Sequence, residues 1–221
     1  MRKEIRGRCT LLGLILCVSG LPVCAEGGRP PEVSLTVAVH DHAGVPADTL
    51  DEAERTASLL FKQAGVNVEW ANCESPGDGT HNDRSCHITQ FPQHLQLVIV
   101  RRSKNLTDSV FGISYLGEDG SGCYIDVFFE PAEELHERLH VHLATLLGHV
   151  VAHEIAHLLL GTNSHSDTGI MRAHWDGRDL ANAGKGELLF TRAQGQRMRA
   201  RVSVSSCPTE RALVTVGSGR D

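Results

Sequence analysis

The chain has no CxxC pair, so it lacks the ligand spacing of cysteine-based structural zinc modules. Aromatic residues make up only 5 % of it, and no second domain with a targeting composition stands out. Basic residues are in deficit, 21 Lys and Arg against 27 Asp and Glu, for a net charge of -6. That balance argues against nucleic acid as a partner, because phosphate neutralisation needs clustered cations. Internal repeats and low-complexity stretches are absent. Beyond the N-terminus no transmembrane segment is expected.

What the N-terminus does contain is a leader pattern. Arg2, Lys3, Arg6 and Arg8 form a basic opening, and Leu11 to Val23 form an apolar stretch too short to span a bilayer. Val23-Cys24-Ala25 places small residues as signal cleavage requires, so residues 1–25 are expected to be a signal peptide cleaved after Ala25. Cys24 would be the lipidated residue in a lipoprotein reading, which Val23 just before it disfavours. The expected location is secreted or periplasmic. Without residues 1–25 the net charge falls to -9, since four basic residues and Glu4 leave with them. The 196 remaining residues suffice for one domain with a real core. Residues 26–207 are expected to be that domain and 208–221 a flexible tail. So few residues separate Ala25 from the first strand that no inhibitory pro-domain is expected.

Four cysteines follow the leader: Cys73, Cys86, Cys123 and Cys207. An even number in an exported chain suggests two disulfides. Of three possible pairings, Cys73–Cys86 is preferred because it closes the polar loop Glu74–Ser85, and Cys123–Cys207 would then tie down the C-terminus.

Hydrophobic periodicity gives the element order. Glu32 to His40 alternates Val33, Leu35, Val37 and Val39 as a half-buried strand. Leu50, Ala53, Ala57, Leu60 and Ala64 form a helical stripe, with Asp48 as candidate cap and Gly65 as stop. Val66 to Trp70, Leu95 to Val100, Phe111 to Leu116 and Cys123 to Phe129 read as strands, with Leu95–Val100 central because its run is nearly continuous. One long helix is expected from near Pro131, clearest over Glu137–Leu160. Thr191 and Gln194 form a capping box for a last helix ending near Val202.

The informative stretch lies at the end of that long helix: His153-Glu154-Ile155-Ala156-His157, then Gly161, His165 and Met171. Histidines at i and i+4 share one helical face and can hold a single zinc, while Glu154 beside the first ligand can take a proton from water. Gly161 ends the helix, and a polar turn Thr162-Asn163-Ser164 brings His165 back as a third ligand. Three protein ligands plus an open position define a catalytic zinc site.

These residues, with Gly169-Ile170-Met171 six positions after His165, resemble the metzincin clan of zinc metalloproteases, most closely its matrixin-like members. The resemblance implies an α+β zincin domain: a twisted mixed β-sheet, an active-site helix, a Met-turn with Met171 beneath the metal, and a C-terminal helix. The clan pattern HExxHxxGxxH is not met strictly. Its Gly and third His positions hold Leu160 and Asn163, and Gly161 and His165 come one and two residues late. The Tyr that astacin-like members place two residues after the Met is Ala173 here. Gly112-Ile113-Ser114-Tyr115 looks like the edge strand that aligns substrate in that clan, and Arg172 to Trp175 would wall the pocket.

The resulting expectation is an exported zinc metallopeptidase, an endopeptidase acting on protein or peptide substrates as a monomer. It would carry one Zn²⁺ on His153, His157 and His165, with Glu154 as general base. One alternative takes Glu187 as third ligand in gluzincin style. Another keeps the fold as a non-catalytic zinc-containing binding protein, and a third treats the histidines as incidental to a disulfide-stapled binding module. His136, His140 and His142 are expected to be solvated helix surface, and His149 a core histidine.

Overall fold

In the computed structural model the described residues are 33–73, 84–102 and 110–204. The expected leader over 1–25, Cys207 and the tail 208–221 lie outside them. Five strands, β1 (Val33–Asp41), β2 (Val66–Cys73), β3 (His94–Val100), β4 (Gly112–Tyr115) and β5 (Tyr124–Phe128), form one sheet in the order β2-β1-β3-β5-β4. The first four strands of that order run parallel, and β4 pairs antiparallel with β5 at the edge. The fold is therefore α+β around a mixed sheet, with β3 central as its apolar run requires.

Five helices follow the chain as α1 (Ala47–Ala64), α2 (Phe129–Leu139), α3 (Leu143–Leu160), α4 (Gly177–Gly184) and α5 (Arg192–Val204). Alternation buries Leu35, Val37 and Val39 of β1, and these join one core with Ala57, Leu60 and Phe61 of α1 and the apolar residues of α3. Gly148 sets the approach of α3 to α1, since a Cβ there would lie 2.5 Å from the Ala53 carbonyl oxygen. The stripe on α1 is as expected, but its cap is not. Pro46 occupies the cap position, and Asp48 lies inside the first turn, where its carboxylate favours the positive end of the helix.

The expected long helix is two helices. His140 adopts a left-handed conformation (φ 54°) and ends α2, and His142 precedes α3. No Gly or Pro marks this break. His136 stabilises the turn instead, with Nδ1 2.6 Å from the Val141 carbonyl oxygen. His136 is thus a half-buried turn-former rather than solvated surface. Leu143–Leu160 has a mean hydropathy of 1.5, long and apolar enough to cross a membrane by composition; 89 % of it is buried inside the protein, as in a core helix.

Helix α5 carries arginines to the exposed carbonyl ends of two other helices. Arg197 donates to the Leu160 oxygen at the end of α3 (3.2 Å), and Arg199 donates to the Ala64 oxygen at the end of α1. Both satisfy acceptors that a helix terminus leaves unpaired. The expected Thr191–Gln194 capping box is formed, with backbone–side-chain bonds of 2.8 and 3.3 Å. Cys73 and Cys86 are joined by a disulfide. Cys123 has no disulfide partner among the described residues, and its expected partner Cys207 lies outside them; its half-buried thiol lies against the Phe91 backbone and is pushed up by burial.

Candidate metal centre and its cavity

Helix α3 presents His153 and His157 from its buried interior, 8 % and 5 % exposed. It runs through the Gly position of the clan pattern, and its cap comes one residue later. Leu160 is its last residue and Gly161 takes the left-handed cap (φ 68°). The chain then turns back. The backbone N–H of Ser166 donates to the Met171 oxygen (2.8 Å), and that of Arg172 donates to the Gly169 oxygen (3.2 Å) to close a tight turn around Ile170-Met171. Gly169 has φ 75°, and a Cβ there would lie 2.5 Å from the Leu189 oxygen, so the turn requires glycine. The folding-back sets His165 beside the helix. Its ring centroid is 5.4 Å from that of His153 and 5.0 Å from that of His157.

One ligand-capable atom from each of His153, His157 and His165 lies within 4.8 Å of the others. This is the group of that kind found among the described residues, and it does not include Glu187, which is exposed between α4 and α5. Hydrogen bonds to main-chain oxygens set the tautomers of two of the three histidines. His153 Nδ1 lies 2.8 Å from the Ile170 oxygen, and His157 Nδ1 lies 2.8 Å from the Thr162 oxygen. A carbonyl only accepts, so each Nδ1 bears the proton and each Nε2 keeps its lone pair. Those two Nε2 atoms face each other at 3.0 Å. Neither has a proton to share, so the approach is repulsive until a cation stands between them. Two nitrogens bound tetrahedrally at about 2.0–2.1 Å from one ion lie about 3.3 Å apart, which matches closely. The donor set therefore fits zinc, and the carbonyls fix both tautomers as metal-binding histidines require.

Electrostatics agree. Burial lowers His153 to about 4, with its two histidine neighbours acting in the same direction. Burial also lowers His157 and His165. Neutral imidazole is the ligand form.

Glu154 is 7 % exposed, and burial raises its carboxyl to about 7 against the hydrogen bond from Ser114. Ser114 Oγ lies 2.7 Å from Glu154 Oε2 and 2.7 Å from the Glu154 main-chain oxygen. The hydroxyl serves either form of the side chain. It donates to the carboxylate, or accepts from the protonated acid while donating to the carbonyl. Gly112 closes the same site from the same strand, since a Cβ there would lie 2.6 Å from Glu154 Cγ.

Among the described residues β4 has one partner in the sheet, so the expected substrate strand is an edge there. Its side chains divide by alternation. Gly112 and Ser114 turn inward to Glu154, whereas Tyr115 is 48 % exposed and donates its hydroxyl to Asp126 (2.7 Å). Ile113 stands opposite Asp126 in the register, on the Tyr115 side. A cavity of about 790 Å³ opens beside the histidines, with Phe111, Leu135, Leu139, Val150, Trp175 and Leu180 among its lining residues. Glu154, His153 and His165 also face it. Met171 is 1 % exposed in the core, and Arg172 to Trp175 form part of the cavity wall.

Three features were not visible in the sequence. Helix α2 supplies a wall through Leu135 and Leu139, and its separation from α3 had no Gly or Pro signal. Helix α4 begins at a capping box made by Asp176 and Asp179, whose Asp at the third position departs from the usual Glu or Gln. Trp175 donates Nε1–H to the Ile170 oxygen (3.0 Å), the carbonyl that also holds His153. His149, one turn before His153, is 1 % exposed and bonded through Nδ1 to the Thr145 oxygen (2.8 Å). Its ring stands edge-on to Trp175, and its Nε2, near the Leu188 backbone, lacks a well-formed hydrogen bond.

No family model matches the chain, and no curated protein matches it. Among solved structures it is similar to a zinc-dependent peptidase from Methanocorpusculum labreanum, at 14 % identity over 73 % of this chain and 99 % of that one, with a TM-score of 0.49. It is also similar to metalloproteinase-II from Bacteroides fragilis, at 11 % identity over 79 % of this chain and 55 % of that one, with a TM-score of 0.47.

Proposed function

We propose that this chain is an exported, metzincin-like zinc endopeptidase. The observation that carries the reading is the pair of proton-free Nε2 atoms facing each other at 3.0 Å beside a buried carboxyl. A zinc held by His153, His157 and His165 would polarise the scissile carbonyl and acidify the attacking water.

The remaining steps belong to the protein's own groups. Glu154 Oε2 is engaged by Ser114, which leaves Oε1 as the acceptor for the water's proton. The same carboxyl then hands the proton to the departing amine. The free edge of β4 can pair with an extended peptide through main-chain hydrogen bonds. The apolar walls from α2, Phe111 and Trp175 would receive one substrate side chain and exclude water around it.

Retention of a carboxyl beside the metal group favours catalysis over a binding protein, because a purely structural site has no use for it. The test is cleavage of a diverse peptide library by zinc-loaded protein beside Glu154→Gln. Cleavage by the parent alone supports the peptidase. One bound zinc in both, with no cleavage by either, would replace it with a binding role.

A further inference from the structure

We propose that Ser114 is a positioning residue for Glu154: its hydroxyl, delivered by the edge strand, fixes the carboxylate so that Oε1 alone is presented to the cavity. The proposal rests on the peptidase reading for its catalytic meaning, and on geometry for everything else.

A glutamate side chain has three rotatable bonds, and holding it in one arrangement costs conformational entropy. The helix fixes only its backbone. Ser114 supplies the missing constraint by touching Glu154 at two points, the main-chain oxygen and Oε2, both at 2.7 Å. With its single proton the hydroxyl donates to the ionised carboxylate, or accepts from the protonated acid while donating to the main-chain oxygen; in either form the strand sets where Oγ stands and so where Oε2 is held. Both residues are 7 % exposed, which keeps water from competing for the bond. Gly112 acts with it two residues earlier on the same face. Any side chain there would occupy the space of Glu154 Cγ and Cδ, at 2.6 and 2.9 Å from its Cβ. The pattern Gly-x-Ser on β4 is therefore a cradle for the carboxylate. Among the described residues the strand's opposite edge is unpaired, so one short strand would align substrate and base together.

The experiment compares the parent with Ser114→Ala and Ser114→Thr in two ways. The first is the carboxyl ¹³C resonance of Glu154 in metal-free protein, identified by its loss in Glu154→Gln. It should be single and sharp in the parent, shifted or broadened in Ser114→Ala, and restored in Ser114→Thr. The second is peptide cleavage by zinc-loaded protein. Ser114→Ala should lose about 10- to 100-fold in kcat, as small misplacements of a reacting group do. KM and zinc affinity should stay unchanged, and Ser114→Thr should recover most of the rate. An unaltered Glu154 resonance in Ser114→Ala overturns the proposal, as does a kcat loss that Ser114→Thr fails to restore. If the parent cleaves nothing, the peptidase reading falls, and the resonance still decides what Ser114 does.

Discussion

His153 and Trp175 hang their ring N–H groups on one oxygen, the main-chain carbonyl of Ile170, at 2.8 and 3.0 Å. The two rings stand edge to face, with centroids 5.9 Å apart. A carbonyl oxygen has two lone pairs, so both bonds form together. The tight turn after His165 is thereby tied to α3 through His153 and to the cavity wall through Trp175. Trp175→Phe keeps the ring and removes one tie. Zinc affinity should fall about tenfold, the lower end of what losing an outer-shell partner costs. Competition titration against a chromophoric chelator measures it, and an unchanged affinity would show that His153 alone orients the turn.

The three histidines differ in how much the fold depends on them. His153 and His157 are buried in α3, whereas His165 is exposed. His165→Ala should leave the metal-free protein's stability within about 0.5 kcal/mol, as for an exposed position. Its zinc affinity should fall by more than the roughly 10- to 100-fold expected of an outer-shell change. Urea unfolding and zinc titration on one preparation give both values. Strong zinc binding by this variant would send the search for a third ligand elsewhere, to Glu187 among others.

In metal-free protein Glu154 and His153 make opposing contributions to the pH dependence of stability. Glu154 is raised from 4.5 to about 7, so the folded state holds its proton more tightly than the unfolded chain. That contribution is complete below pH 4.5 and is lost as pH rises through 7. His153 is lowered from 6.5 to about 4, so its contribution is complete above 6.5 and is lost as pH falls towards 4. Glu154→Gln removes the first part only. Metal-free Glu154→Gln should be more stable than the parent at pH 8 by up to about 3 kcal/mol, with the advantage gone near pH 4.5. Chemical unfolding at the two pH values checks this; equal differences at both would mean that the buried carboxyl is not strained by ionisation.

Gly112→Ala places a methyl group 2.6 Å from Glu154 Cγ and 3.0 Å from the Asp126 main-chain oxygen. The strand cannot retreat without leaving β5, so the carboxylate must move. A destabilisation of about 1–3 kcal/mol is expected, typical of overpacking. It should come with a loss of peptidase activity out of proportion to the fraction unfolded. Thermal unfolding and initial rates together separate the two effects; full activity in a folded variant would show that Glu154 has room to spare.

Much of this site was legible because its signals are local. The i,i+4 histidines, Gly161 at the helix end and Gly169 before Met171 are each dictated by helix or turn geometry, and each falls where its spacing places it. The break at His140 was not legible, because a left-handed histidine in a turn that the His136 side chain closes on the Val141 oxygen has no compositional mark. The partnership of Ser114 with Glu154 spans 40 residues, and that distance is set by sheet order rather than by any periodicity.

Helix α3 is enclosed over almost its whole length, with Ala144 and every residue from Leu146 to Leu160 buried. A rod held on all sides leaves selection little freedom there, since a change at most of its positions disturbs the core before it alters chemistry. Diversification of preference must then fall on the periphery: the α2 wall, the outward residues of β4 and the stretch Arg172–Trp175. Related chains with other diets should differ at those borders and keep the rod between them nearly constant.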